Sequence, residues 1–345
     1  MRRAIAPLTV FLLAGLMAPA AATPPRFPDL ISFDPTAGEF PEGIAVDKVG
    51  NVFVAFDDPR GEIRKFTPRG GESLLADFGT PGVLGLAVDA TGNVYAAREV
   101  PPDNGVYRVD RSGNVERIPG TEAIVFPNAL AFDKRGNLYV TETFSFDPPL
   151  SEYPGCDIGS GPFFGQGGIW RIPPGGEAEL WLRHELLTGL CLPNPIPFPL
   201  GANGIAYRRG ALYVANTERT LIVRIPVNPD GSPGTPEPVV NVGDAIPPGP
   251  FGPPVLDGIA LDVHGSIYAL AIDSSRLVRV SPDGETVDVL ATAADGLDFP
   301  ASLAFGTGKG ERRSLFITNF AIGPPGGAGP GLLKLRVGVQ GQPLP

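Results

Sequence analysis

The chain has 345 residues, of which 43% are hydrophobic, so it is long enough to bury a substantial core. Its formal net charge of -10 excludes nucleic acid and anionic membrane surfaces as expected partners, because both need a basic face. A metal cation or a small neutral molecule remains a suitable partner.

The chain begins with the features of an export signal. Arg2 and Arg3 give a positive start, residues 8–16 are apolar, and residues 20–22 are three alanines typical of a cleavage site. The apolar stretch is far shorter than the roughly 20 residues that span a bilayer. We therefore expect a signal peptide at residues 1–22, a single domain at residues 23–345, and export to the periplasm or the medium.

Six near-copies of one apolar pattern recur along the chain, and they begin at residues 41, 83, 127, 202, 256 and 300. After each copy, a short turn leads to a second apolar segment, and in the first three units this turn contains Gly-Asn. Alternating β-branched and aromatic residues around such a turn predict a β-hairpin. Each unit therefore starts with two antiparallel strands.

A third apolar segment with a basic residue near its end follows each hairpin, and a Gly turn usually leads to a fourth. Six such units predict an all-β fold, a six-bladed β-propeller with four antiparallel strands per blade. The sixth unit has little chain left for its fourth strand, whereas residues 30–33 precede the first unit. We expect this N-terminal strand to complete the sixth blade and close the ring.

The second position of the repeat carries the candidate functional side chains: Glu42, Asn128, Asn203 and Asp257. The first strand of each blade lines the central channel of a propeller, so we expect these four residues to converge at one mouth. Oxygen ligands without His or Cys suit a hard cation, and Ca²⁺ accepts them in looser geometry than Mg²⁺ does. Another divalent cation is an alternative, and so is a role in capping strand ends or binding channel water.

This pattern resembles the SMP-30/gluconolactonase/LRE-like family of six-bladed propellers, and also their relatives, the diisopropylfluorophosphatases and paraoxonases. The resemblance covers about residues 38–338. It implies a catalytic calcium ion held by Glu42, Asn203 and Asp257, with Asn128 as a further ligand or a substrate contact.

The resemblance also implies hydrolysis of a small-molecule lactone or related ester, with Asp257 as general base or nucleophile. Two alternatives stay open: a phosphotriesterase that uses the same metal site, and an exported propeller that binds a ligand or protein without turnover. We expect the protein to be a monomer.

Further residues are predicted to contact the substrate. In animal gluconolactonases an Arg precedes the third-unit Asn by two residues, and this chain has Phe126 there, which makes a polar sugar lactone a poorer fit. The second strands return to the same mouth, so residues near their ends are candidates for the pocket wall. They are Arg98, Glu142, Asn216, Asp273 and Asn319.

Two irregular stretches, residues 144–168 and 185–200, lengthen the third unit, and strand direction places both on the metal-bearing face. Cys156 lies in the first and Cys191 in the second, and the oxidising surroundings of an exported protein predict a disulfide between them. Both stretches are rich in Phe and Leu. Either these residues pack on one another, or they form a lid that favours a hydrophobic substrate.

Overall fold

The computed structural model describes residues 29–57, 59–146, 166–190, 199–249, 252–323 and 327–344. Within these ranges the chain forms six antiparallel sheets of four strands each. In chain order the strands are β1 (Asp29–Ser32), β2 (Pro41–Val46), β3 (Val52–Phe56), β4 (Glu62–Phe66), β5 (Glu72–Asp77), β6 (Val83–Val88), β7 (Val94–Arg98), β8 (Gly105–Val109), β9 (Val115–Arg117), β10 (Pro127–Phe132), β11 (Leu138–Glu142), β12 (Gly168–Ile172), β13 (Glu179–Arg183), β14 (Ala202–Arg208), β15 (Ala211–Asn216), β16 (Leu221–Pro226), β17 (Glu237–Asn241), β18 (Leu256–Leu261), β19 (Ile267–Ala271), β20 (Arg276–Val280), β21 (Val287–Ala291), β22 (Pro300–Phe305), β23 (Ser314–Asn319) and β24 (Gly331–Arg336). Short 3-10 helices lie at Pro35–Ala37, Thr121–Ala123, Glu185–Leu187, Val242–Asp244 and Ala293–Asp295.

The sheets are the six blades of a propeller, which confirms the predicted fold. Blade 1 is β2–β5, blade 2 β6–β9, blade 3 β10–β13, blade 4 β14–β17 and blade 5 β18–β21. Blade 6 combines β22–β24 with β1, and Ile31 lies opposite Leu332 in the antiparallel pair. The N-terminal strand therefore closes the ring, as predicted.

Burial decreases from the first to the fourth strand of a blade. In blade 1, every residue of β2 and β3 is buried, β4 contains both buried and partly buried residues, and half of the residues of β5 are exposed. Each face of the inner strands packs on a neighbouring blade, so both faces need apolar residues. The described residues form six hydrophobic clusters, one between each pair of adjacent blades.

Asp residues organise the turns between the first two strands. Asp47 Oδ1 accepts hydrogen bonds from the backbone N–H groups of Val49 and Asn51, and the Asn51 side chain donates to Asp47 Oδ2. Gly50 supplies the positive φ of 92° that this turn requires. The same arrangement recurs at Asp89 and Asp133, which explains the Gly-Asn signal in the sequence.

Several predictions concern residues outside the described ranges. The signal peptide, both cysteines of the predicted disulfide and most of the two long loops belong to this group. None of the helices in the described part of the chain is long and apolar enough to span a membrane.

Candidate metal centre

The first strands of the six blades surround one channel. Each contacts the first strands of the blades on either side, from β2 through β22 and back to β2. At one end of the channel a narrow cavity of about 70 Å³ is lined by Glu42, Asn128, Asn203 and Asp257. The structure thus brings together all four residues that the repeat singled out.

A break in strand pairing directs these side chains into the channel. In every blade, the register between the first and second strands shifts between the first and the fourth position of the repeat. The second position lies inside this irregularity. Such bulges re-aim side chains, and they are common beside active sites.

The third position of the repeat lets neighbouring first strands approach closely. It is Gly43, Gly85, Gly204 and Gly258 in blades 1, 2, 4 and 5. A Cβ atom on Gly43 would lie 2.0 Å from the Leu84 carbonyl oxygen, and one on Gly204 would lie 2.3 Å from that of Asp257. Only glycine fits at these positions, because any side chain would clash with the backbone of the neighbouring first strand. The first strands are therefore tightly packed around the channel.

Blades 2 and 6 differ from the repeat alignment at the channel. Leu84 and Ala301 occupy the second position of the repeat there, but Gly85 and Ser302 line the cavity instead. Ser302 therefore adds a hydroxyl to the polar mouth that the repeat did not predict.

The two acidic residues of the cavity are held where a carboxylate is poorly solvated. Glu42 and Asp257 are each 8% exposed. Burial, followed by the negative charges of Asp257, Asp57 and Glu99, raises the pKa of Glu42 well above its usual value. Burial also raises the pKa of Asp257 to about 7, although an interaction with the Asn203 side chain opposes this shift.

These properties fit a divalent cation. Among the described residues, no Lys or Arg forms an ion pair with Glu42 or Asp257, so the two buried carboxylates lack a balancing positive charge. No group of three or more His, Cys, Asp or Glu side chains in the described ranges is arranged to hold a metal. A cation here would therefore be held by the carboxylates of Glu42 and Asp257 together with the amide oxygens of Asn128 and Asn203.

The five residues predicted to form the pocket wall are not among those that line the cavity. They are at most 6% exposed. Each is hydrogen-bonded to the loop that enters the first strand of its own blade. The bonds are Arg98 to Thr80, Glu142 to Val125, Asn216 to Leu186 and Thr188, Asp273 to Val255, and Asn319 to Asp298 and Gly296. This geometry favours a role in anchoring the loops over the substrate contact predicted for these side chains.

Phe126 belongs to an aromatic group beside blade 3. Its ring lies 4.9 Å from the Phe144 ring, which in turn lies 6.3 Å from the Phe146 ring. Phe144 is buried, whereas Phe146 is 52% exposed. Phe144 and Phe146 start the first predicted lid loop, and the centre of that loop is outside the described residues.

Sequence reasoning missed four polar residues that directly follow second strands: Asp57, Glu99, Thr143 and Thr217. Asp57 and Glu99 contribute negative potential at Glu42, and burial together with Asp57 raises the pKa of Glu99 to about 7. Thr143 and Thr217 are hydrogen-bonded to Asn128 and Asn203. Their shared position, one residue after the second strand, is the sequence signal that would have found them.

The fold and the channel mouth define the class of protein: a six-bladed propeller with a buried, acidic oxygen site at one end of its channel. A family model for the SMP-30/Gluconolactonase/LRE-like region matches residues 199–321, which include blades 4 and 5 and the first two strands of blade 6. A gluconolactonase from Zymomonas mobilis is 26% identical over 278 residues, which cover 73% of this chain and 70% of the relative. These matches agree with the resemblance predicted from the sequence: the chain is similar to members of the SMP-30/gluconolactonase/LRE-like family.

Of two further matches, one covers a smaller part of the chain and the other has lower sequence identity. A 6-deoxy-6-sulfogluconolactonase from Pseudomonas putida is 32% identical over 120 residues, 34% of this chain and 38% of that protein. The solved structure of regucalcin from Agrobacterium tumefaciens, described as a calcium-binding protein, has a TM-score of 0.62 at 16% identity. It covers 92% of this chain and 97% of its own. At that identity the likeness concerns the fold.

Proposed function

We propose that this protein is a calcium-dependent hydrolase that opens a lactone or a related ester at the channel mouth. The observation that carries the proposal is the convergence of Glu42, Asn128, Asn203 and Asp257 on one small buried cavity. The similarity to two lactonases supports the substrate class. The buried carboxylate and amide oxygens, which suit a hard cation, support the metal. The N-terminal sequence supports export.

Calcium, when bound, would supply a Lewis acid that polarises the substrate carbonyl and stabilises the charge that develops on its oxygen. The chain's own residues supply the remaining chemistry. Asp257 accepts a proton from the attacking water or attacks the carbonyl carbon itself. In the first case the ring C–O bond then breaks, and the released oxygen takes up a proton to give a hydroxy acid. In the second case the same bond breaks and leaves the acyl group on Asp257, and a water molecule then hydrolyses this anhydride to release the hydroxy acid and restore the carboxylate.

The charge around the mouth suits this direction of reaction. A lactone is neutral, whereas the hydroxy acid that forms at neutral pH is an anion. Asp57 and Glu99 place negative potential near Glu42, so they disfavour the anionic product more than the neutral substrate. Product release is thereby favoured.

The test is a panel of lactones, aryl esters and organophosphates, assayed with the purified protein in calcium or in chelator. Asp257→Asn keeps the size of the side chain but removes the base, so it should lower lactone turnover by about 10²–10⁴-fold. Asp244→Asn serves as the matched control, because Asp244 is exposed on a 3-10 helix outside the group of residues that line the channel cavity. It should leave turnover unchanged.

Each result of this panel has a defined meaning. Lactone turnover that chelator abolishes supports the proposal, whereas turnover that chelator does not affect refutes calcium dependence. Preference for organophosphates would identify a phosphotriesterase. Calcium binding without turnover of any substrate would identify a binding propeller.

A further inference from the structure

Two buried threonines occupy the same position in neighbouring blades. Thr143 directly follows β11 of blade 3 and is fully buried, and Thr217 directly follows β15 of blade 4 and is 3% exposed. The equivalent residues of the other four blades are Asp57, Glu99, Ile272 and Phe320. Thr therefore occurs at this position in the two blades whose channel residue is Asn, and in neither of the blades that carry a channel carboxylate.

Thr143 determines which end of the Asn128 amide faces the channel. The Thr143 hydroxyl donates its proton to the Ala202 carbonyl oxygen (2.9 Å), so its Oγ1 can only accept from another group. Asn128 Nδ2 donates to that Oγ1 at 3.3 Å, and both partners are buried. The amide nitrogen is thus held on the threonine side, which leaves Asn128 Oδ1 for the cavity that this residue lines.

Thr217 holds the Asn203 amide in the same orientation, with its nitrogen toward the threonine. Asn203 Nδ2 donates to Thr217 Oγ1 at 3.1 Å. This contact uses the nitrogen end of the amide, so Asn203 Oδ1 is again the end left for the cavity that this residue lines.

The orientation of an amide matters to a cation because only the oxygen end can coordinate it. A flipped amide would present N–H groups to the cation, which is repulsive. Thr143 also bridges the two blades, since Ala202, whose carbonyl accepts its proton, directly precedes Asn203. The side-chain hydrogen bonds of the two threonines therefore meet at two consecutive residues, Ala202 and Asn203.

We propose that Thr143 and Thr217 are positioning residues that fix the Asn128 and Asn203 amides with their oxygens toward a bound cation. The inference rests on the proposed calcium site, and it adds two residues that do not bind the cation but are hydrogen-bonded to its proposed ligands. Residues that orient metal ligands typically change metal affinity by about 10–100-fold when they are removed.

The test compares Val and Ser substitutions at both positions. Thr→Val removes the hydroxyl while it keeps the shape of the side chain, and Thr→Ser retains the hydroxyl. We expect T143V and T217V each to weaken calcium binding by about 10-fold or more, measured by titration calorimetry, and T143S and T217S to bind within about 3-fold of the unmodified protein.

Thr121→Val is the matched control for loss of a buried hydroxyl. Thr121 is fully buried and also donates to a backbone carbonyl, that of Ile118 at 2.7 Å, but it lies in a 3-10 helix and is not among the residues that line the cavity. T121V should lower the melting temperature without changing calcium affinity. Equal affinities for T143V, T217V and the unmodified protein would overturn the proposal, and so would Ser variants as weak as the Val variants.

A measurement without calcium separates this proposal from the proposed function. In ¹⁵N-labelled protein with chelator, the side-chain amide protons of Asn128 and Asn203 should exchange slowly with solvent, and T143V and T217V should each lose that protection at its own partner. Loss of protection in a protein that binds no calcium would support the positioning role and refute the metal site. Unchanged protection in both variants would refute the positioning role whatever the protein binds.

Discussion

At the scale of single residues, the channel mouth brings several carboxyl groups together in a buried, poorly solvated position. Glu42 and Asp257 line the cavity, and Asp57 and Glu99 add to the potential at Glu42. Such an arrangement destabilises the cation-free fold, because each carboxylate costs desolvation and repels the others. A divalent cation would offset that cost, so the folded state and the proposed calcium ion should stabilise each other.

Glu99 is not a proposed ligand, so it allows the destabilisation by buried carboxylates to be measured apart from metal binding. Its pKa is about 7 in the folded protein, raised by burial and by Asp57 from an ordinary value of 4.5. A carboxyl group with a raised folded pKa contributes stability that is fully present below about pH 4.5 and is lost as the pH rises through 7. Glu99→Gln removes this loss. In chelator, the variant should equal the unmodified protein at pH 4 and exceed it by about 1–3 kcal/mol in free energy of unfolding at pH 8.

Urea denaturation at pH 4, 6 and 8 would check this expectation. Glu122→Gln is the control, because Glu122 is exposed in the 3-10 helix before β10. If the free energy of unfolding of Glu99→Gln differs from that of the unmodified protein by the same amount at every pH, ionisation of the Glu99 carboxyl is not the cause of the destabilisation.

At the scale of secondary-structure elements, the first strand of each blade combines a bulge with a small third residue. The bulge turns the second residue toward the channel, and the glycine lets the next blade approach. Blade 2 isolates the second feature, because the second position of its repeat is the apolar Leu84 and the third is Gly85. A Cβ atom on Gly85 would lie 2.3 Å from the Asn128 carbonyl oxygen.

Gly85→Ala should therefore damage both the fold and the site. The added methyl group meets backbone that cannot move aside as a flexible side chain would, and we expect a loss of about 2–4 kcal/mol in free energy of unfolding. Because the clash displaces Asn128, calcium affinity should fall as well. Gly176→Ala is the control, since its new Cβ would meet only ordinary contacts at 3.4–3.5 Å. A Gly85→Ala protein as stable as this control would show that the first strands are not tightly packed.

The elements also show how far the sequence alone leads. Strand order, ring closure and the four channel residues follow from periodicity, which is local and repeats six times. The direction of a side chain at a strand end depends instead on the path of the loop beside it. Glu142 illustrates the difference: it was predicted to line the pocket but accepts from Val125 N–H, Trp170 and Arg183 while fully buried. No periodic pattern encodes those partners.

At the scale of the whole molecule, stability depends on contacts between blades. Each hydrophobic cluster in the described residues joins two neighbouring blades, so no blade has a core of its own. The cluster between blades 6 and 1 is the point where the two ends of the chain meet. Phe33, next to β1, packs there against Phe56 and Phe66, with ring centroids 4.8 and 6.0 Å apart. Closure of the ring is therefore fixed by side-chain packing as well as by the pairing of β1 with β24.

Phe33→Ala tests this closure without removing the strand. Phe33 is 8% exposed, and truncation of a buried Phe typically costs about 3–5 kcal/mol in free energy of unfolding, measured here by urea denaturation. Leu30→Ala is the control in the same segment: Leu30 lies in β1 but is 47% exposed, so its loss should cost less than about 0.5 kcal/mol. Because all six blades depend on one ring, Phe33→Ala should lower the midpoint of a single transition recorded by both circular dichroism and fluorescence. Separate transitions for the two probes, or equal effects of the two substitutions, would mean that blade 6 is not held to blade 1 through this contact.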